Sequence, residues 1–216
     1  MARYPDVLFE GCSGGGGRFD AGMMYYHPQI WCSDDTDAIE RLRIQYGTSF
    51  AYPVSTVGAH VSVCPNHQTG RSVSMETRGI VAMSGTFGYE LDITEMSEED
   101  KNVVRKQIEE FKKYYDLIQQ GDYYRLSDDG TKSNYVAWQF VSEDQKESLV
   151  NVVVLRTKAN PPFQFVYLRG LKPKALYHVE GTDLHLTGEA LMNGGYLLPV
   201  VSDDYEAVQI HLTECD

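Results

Sequence analysis

The sequence predicts a chain of two parts, a parallel α/β region over residues 1–120 and an antiparallel β-sandwich over residues 121–216. Two observations carry this. In the first third, strand-like apolar runs, polar loops and helical patterns recur at roughly 20-residue intervals, the grammar of parallel α/β folds whose chemistry sits on the loops after strands. Beyond Asp122 the pattern changes to short apolar runs separated by turn-rich stretches such as Asp128-Asp129-Gly130 and Asn160-Pro161-Pro162. With 42% apolar and 12% aromatic residues, the chain has enough material for packed cores.

Taken in order, Val7-Leu8-Phe9-Glu10 reads as a short buried strand followed by a loop from Gly11 to Arg18 that contains four consecutive glycines. Gln29-Ile30-Trp31-Cys32 reads as a second strand, ending in the acidic run Ser33-Asp34-Asp35-Thr36-Asp37. Asp37 with Glu40 matches a capping box, so a helix starts there, with Ile39, Leu42 and Tyr46 expected on its buried face. Ser49 to Val54 reads as a third strand leading into a polar loop that holds His60, Cys64, Asn66 and His67, and a second helix is expected from Val73 to Met83. Only about 120 residues have this character, fewer than the roughly 250 of a closed (β/α)₈ barrel. The sheet is therefore either small and open or one part of a barrel.

A long amphipathic helix follows. Ser97 is its N-cap, Glu98, Glu99 and Asp100 suit the positive end of the helix dipole, and Gly121 ends it. Its apolar stripe is expected along Val104, Ile108, Phe111, Tyr115 and Ile118. Strands are then predicted over Tyr135 to Val141, Ser148 to Leu155, Phe163 to Leu168, Ala175 to Val179 and Ala207 to Leu212.

A formal charge of −12 and a pI near 4.9 disfavour nucleic acid and anionic membranes as partners, because a polyanion would be repelled. Fifteen tyrosines and two tryptophans beside 31 acidic residues suit a sugar ligand, whose apolar faces stack on rings and whose hydroxyls bond carboxylates. The first residues show no basic start with an apolar run, and no apolar stretch is long enough for a membrane helix, so a cytoplasmic location is expected. Cys12, Cys32, Cys64 and Cys215 form no Cys-x-x-Cys pair and are expected as free thiols.

Several groupings could carry chemistry. The run from Ser33 to Asp37 follows a strand, the position where barrel enzymes place catalytic groups. Helix capping accounts for Asp37 and Asp35 but assigns nothing to Asp34. The glycine run lacks a following Gly-Lys-Ser/Thr and does not fit a nucleotide loop; it would allow close backbone approach to a ligand or form a plain surface turn. Cys12 reads as a small buried apolar residue or a pocket-lining one. His60, Cys64 and His67 resemble three zinc ligands without a fourth, and local hydrogen bonding is the simpler expectation. No Gly-x-Ser-x-Gly elbow is present.

The stretches Leu8 to Asp20, Trp31 to Ala38, Arg43 to Ser49, Gly58 to Ser62 and Pro65 to Gln68 closely resemble α-galactosidases of glycoside hydrolase family 36, in the same order along the chain. The resemblance runs from Tyr4 to the end. It implies the last part of a (β/α)₈ barrel followed by the family's carboxy-terminal β-sandwich, and a retaining hydrolase acting on α-galactoside oligosaccharides of the melibiose and raffinose type without metal or cofactor. Asp34 falls on the family's acid/base, and Cys12 and Gly15 on positions that contact galactose. The Lys-Trp-Asp motif that carries the family nucleophile is absent from these 216 residues. The expectation is therefore a carboxy-terminal portion, inactive alone, whose partners include a missing amino-terminal barrel part and further copies in a homo-oligomer. A non-catalytic carbohydrate-binding or structural remnant is the alternative. Gly11 and Cys32 stand where relatives often carry Ser and Thr, the second setting a thiol near Asp34.

Overall fold

The computed structural model describes residues 3–215 and divides into two units, residues 1–112 and 113–216. In the first unit, β1 (Glu10–Gly11), β2 (Gln29–Trp31), β3 (Val57–Ser62) and β4 (Thr86–Glu90) lie side by side in chain order, every neighbouring pair parallel. The connections carry two single turns, α1 (Ser13–Gly16) and α2 (Ala21–Met24), and then the helices α3 (Ala38–Thr48) and α4 (Met75–Ala82). Because the strands are parallel, the loops at residues 12–20, 32–37, 63–74 and 91–97 all leave the same edge of the sheet. Ile30, Val57, Ala59 and Val61 from the strands are buried, as are Leu42 of α3 and Val81 and Ala82 of α4.

Four sequence expectations change here. The first strand begins at Glu10, not Val7, because its ladder partner begins at Gln29; Leu8 is 86% exposed. Residues 49–54 form turns rather than a strand: Ser49, Ala51 and Tyr52 give their amide hydrogens to Gln45 and Thr48 at the end of α3, and Pro53 has none to give. The third strand is β3, inside the stretch expected as a polar loop. It is flanked on both sides and buried on both faces, so it lacks the alternation that marks a strand. The inner face of α3 is Ala38, Arg41, Leu42 and Gln45, whereas Ile39 and Tyr46 are only partly buried.

The helix α5 (Glu98–Gln120) spans the division between the units. Its stripe is rotated from the expected one, with Ile108 and Tyr115 exposed and Gln107, Tyr114, Leu117 and Ile118 buried. In the first unit, Gln107 takes an inward position because its amide donates to the Met75 carbonyl at 2.7 Å and accepts from the Tyr89 hydroxyl at 2.7 Å.

In the second unit, a six-stranded antiparallel sheet runs in the order β10-β9-β12-β7-β6-β5, and a separate pair joins β8 and β11. The strands are β5 (Asp122–Arg125), β6 (Tyr135–Val141), β7 (Glu147–Val154), β8 (Phe165–Val166), β9 (Leu176–Val179), β10 (His185–Thr187), β11 (Tyr196–Leu197) and β12 (Glu206–Glu214). The register Ala137↔Val152↔Val208 and Gln139↔Val150↔Ile210 brings Ala137, Val150, Val152 and Ile210 onto one face, where they join a core with Tyr177, Leu191 and Leu212. The buried Gln139 side chain in this sheet is satisfied: its amide donates to Ser148 Oγ and the Arg169 carbonyl and accepts from the Arg169 amide. No helix among the described residues is long and apolar enough to cross a membrane.

Candidate active site at the ends of the parallel strands

The acidic run after β2 is held by a chain of local bonds. Ser33 Oγ accepts from the Asp35 amide, Asp35 Oδ1 from the Asp37 amide, and Asp37 Oδ1 caps α3 by accepting from the Ile39 and Glu40 amides. Asp37 is buried and also meets Arg71 at 2.7 Å and the Thr69 hydroxyl. Burial pushes its carboxyl up, but the hydrogen bonds from Thr69, Arg71 and the Ile39 amide and the Arg71 charge outweigh this and hold it below the ordinary carboxylate range. Asp37 and Asp35 thus serve the backbone. Asp34 does not; it is exposed at the end of the strand.

Among the described residues the Asp34 carboxyl has one side-chain donor, Trp31 Nε1, 3.1 Å from Oδ1. The indole is itself fixed. Arg41 lies over it at 4.6 Å from the ring centroid, and His60 of β3 stacks on it at 4.7 Å. Gly58 leaves the room it needs, since a Cβ there would come within 3.1 Å of Trp31 Cε3. Arg41, 2% exposed, is anchored in turn on the Ser33 and Gly58 carbonyls and Gln45 Oε1. Burial works against its charge, offset in part by Cys32, Asp35 and Glu90.

From the other side, the glycine run packs onto the same loop. Ser13, Gly14, Gly15 and Gly16 all have positive φ (67°, 69°, 72° and 88°), making α1 a left-handed turn closed by the Gly16 amide on the Cys12 carbonyl. A Cβ on Gly15 would lie 2.8 Å from the Asp34 amide nitrogen and 3.2 Å from Asp34 Oδ2, and one on Gly16 would lie 2.6 Å from the Cys32 carbonyl oxygen. Glycine is required by conformation and by space together. Cys12, which caps this turn, is exposed, so of the two readings left open for it the buried one is set aside.

A further support comes from the loop after β3. Gln68 donates to the Asp34 carbonyl at 2.9 Å and accepts from the Thr36 amide at 2.9 Å, while Asn66 Nδ2 donates to Thr36 Oγ1. Gln68 and Asn66 lie more than 30 residues from Asp34 in sequence, and no local pattern announced them or the inward turn of Arg41. The Cys32 thiol is partly buried, and burial pushes it up, only partly countered by the Arg41 charge, so it stays protonated at neutral pH. The His60, Cys64 and His67 grouping separates: His60 stacks on Trp31 and faces Glu90 at 3.7 Å, and Cys64 Sγ bonds the Val73 carbonyl. Among the described residues no group of three or more His, Cys, Asp or Glu side chains could hold a metal ion, and all four cysteines are free. The arrangement presents one oriented carboxyl beside a backbone cradle, which suits proton transfer to a neutral, hydroxyl-rich ligand.

Comparison with known proteins extends this. The melibiase family model matches residues 1–121 and the glycosyl hydrolase family 36 C-terminal domain model matches residues 135–212. The chain is 58% identical over 213 residues to the bifunctional alpha-galactosidase/sucrose kinase AgaSK of Mediterraneibacter gnavus, covering 99% of this chain and 23% of that protein. It is 54% identical to alpha-galactosidase 1 of Pediococcus pentosaceus, covering 96% of this chain and 28% of the relative. The solved galactosidase domain of AgaSK superposes with a TM-score of 0.97 over 99% of this chain and 30% of its own. A variant of the family 36 α-galactosidase AgaA of Geobacillus stearothermophilus in complex with raffinose superposes with a TM-score of 0.95 at 47% identity, again over 99% of this chain and 30% of its own. The chain thus spans less than a third of the length of these relatives.

Proposed function

The chain belongs to glycoside hydrolase family 36, and we propose that its 216 residues are the carboxy-terminal section of an α-galactosidase, with Asp34 as the general acid/base. On this reading residues 1–120 are the last strands and helices of a (β/α)₈ barrel and residues 121–216 the β-sandwich that follows it. The observation that carries the reading is the Asp34 carboxyl, free of capping duty, bonded to Trp31 and lying against Gly15 at the carboxy-terminal ends of parallel strands. That is the edge at which such barrels do their chemistry.

Retaining glycosidases hold two carboxyl groups about 5–5.5 Å apart across the scissile bond. Asp34 gives its proton to the departing glycosidic oxygen as the bond to the anomeric carbon breaks and a second carboxylate captures that carbon. Asp34, now ionised, takes a proton from water, which displaces the enzyme carboxylate and frees galactose with retained configuration. The second carboxylate comes from a part of the barrel outside these residues, since no Lys-Trp-Asp motif occurs among them. Cys12 and Gly15 contact the galactose, the glycine allowing the ligand close to the backbone. The substrates are α-galactoside oligosaccharides of the melibiose and raffinose type, in line with the raffinose and stachyose held by AgaA structures. The four free thiols agree with work in the reducing cytoplasm, and assembly with the remainder of the barrel and with further copies is part of the proposal.

The test is the purified 216-residue chain against p-nitrophenyl α-galactoside. No turnover is expected from it alone, with activity appearing when the remaining barrel polypeptide is supplied. Turnover by the isolated chain near the rate of complete enzymes would overturn the division of the carboxylates. Galactose binding by the isolated chain, with no activity in any complemented form, would favour a carbohydrate-binding remnant.

A further inference from the structure

The acid/base reading leaves open which oxygen of Asp34 carries the proton, and the geometry around Trp31 answers it. An indole N–H donates and cannot accept. Trp31 Nε1 lies 3.1 Å from Oδ1, so Oδ1 must present a lone pair to it whether Asp34 is ionised or protonated. A proton on Oδ1 in that direction would confront the indole hydrogen. The other oxygen, Oδ2, is the one that approaches Gly15 of the glycine cradle.

We infer that Trp31 is a positioning residue that reserves Oδ1 as an acceptor and so makes Oδ2, on the glycine side, the oxygen that gives and takes the catalytic proton. The inference rests on the α-galactosidase reading and deepens it. The indole can do this only if it does not turn. It is 8% exposed and held by a guanidinium that lies over the ring and is bonded to two backbone carbonyls, by the stacked His60 ring, and by the fit against Gly58. Gln68 holds the Asp34 carbonyl from a different loop, which fixes the backbone from which the carboxyl projects, while the bond from Trp31 and the packing against Gly15 set its rotation. Three independent elements, β2 with its loop, α3 and β3 with its loop, therefore converge on one carboxyl orientation.

The consequence is specific to protonation of the leaving group. Departure of a sugar alkoxide needs the proton, whereas p-nitrophenolate leaves without it. In the complete α-galactosidase polypeptide carrying this segment, Trp31→Phe keeps an aromatic ring against Arg41 and His60 but removes the N–H. Its kcat/KM on melibiose is expected to fall about tenfold more than its kcat/KM on p-nitrophenyl α-galactoside. Replacing Trp31 by benzothienylalanine, the sulfur isostere of tryptophan, removes the donor at nearly constant shape and should give the same split if Phe disturbs folding. Equal losses on both substrates, or no loss on either, would overturn the inference. Asp34→Asn is the control. If it abolishes melibiose hydrolysis while the Trp31 variants treat both substrates alike, the positioning role fails and the acid/base survives; if it leaves melibiose hydrolysis intact, the acid/base reading fails and the positioning role with it.

Discussion

Replacing Gly15 by Ala tests the cradle at its tightest point. The new Cβ would stand 2.8 Å from the Asp34 amide nitrogen, 3.1 Å from its Cγ and 3.2 Å from Oδ2. Ordinary contacts begin near 3.4 Å, so the loop after β2 or the left-handed turn must give by roughly half an ångström. The first contact is with backbone, which cannot swing aside as a flexible side chain would. A displacement of 1 Å at a reacting group costs about a hundredfold in rate, so about ten- to a hundredfold is expected here, read as kcat on p-nitrophenyl α-galactoside in the complete enzyme. Alanine at φ +72° adds left-handed strain of about 1–2 kcal/mol. For a protein of this size that lowers the melting temperature by roughly 2–8 °C. A Gly15→Ala variant with kcat within about twofold of the parent and an unchanged melting curve would refute the claim that glycine is needed there.

Two further outcomes follow from the surrounding packing. Asp37 has a carboxyl held below its ordinary value of 3.8, so its contribution to stability is fully present above that pH and is lost as pH falls through the depressed folded-state value. Asp37→Asn should therefore cost about 1–2 kcal/mol in urea unfolding at pH 7, with the gap to the parent closing below pH 4; a constant gap across that range would contradict the role given to ionisation. In α4, Gly79→Ala should destabilise despite alanine's higher helix propensity of about 1 kcal/mol, because a Cβ would fall 2.1 Å from Gln107 Nε2 and displace its buried bond to the Met75 carbonyl. A net loss of about 1–2 kcal/mol is expected by thermal unfolding, and a stabilised variant would show that Gln107 can move away without penalty.

Local grammar made some elements legible and hid others. The helix from Ala38 was readable because Asp37 and Glu40 are a capping signal that acts within one turn. The strands β6, β7 and β12 were readable because their branched and aromatic runs are long. The strand β3 was hidden because Gly58, Ala59 and His60 look like loop residues; they are small or ring-bearing there to seat Trp31 and to pack between two parallel neighbours. The inner face of α3 was misplaced by the same cause, since Arg41 and Gln45 are polar yet buried on backbone carbonyls. On α5 a buried glutamine displaced the expected stripe. At the candidate site, the chain Cys12, Gly15 and Asp34 could be named from sequence, but only folding brings Gly15 against Asp34 or Gln68 onto its carbonyl.

The most direct measurement of the central claim is azide rescue of Asp34→Ala in the complete α-galactosidase polypeptide. Without its general base, the covalent galactosyl-enzyme formed from an aryl galactoside should accumulate, and azide, which needs no deprotonation, should release it. The account predicts faster turnover with azide and α-galactosyl azide as the product. Formation of β-galactosyl azide would instead assign Asp34 as the nucleophile, and unimpaired hydrolysis of melibiose by the variant would remove it from the chemistry altogether.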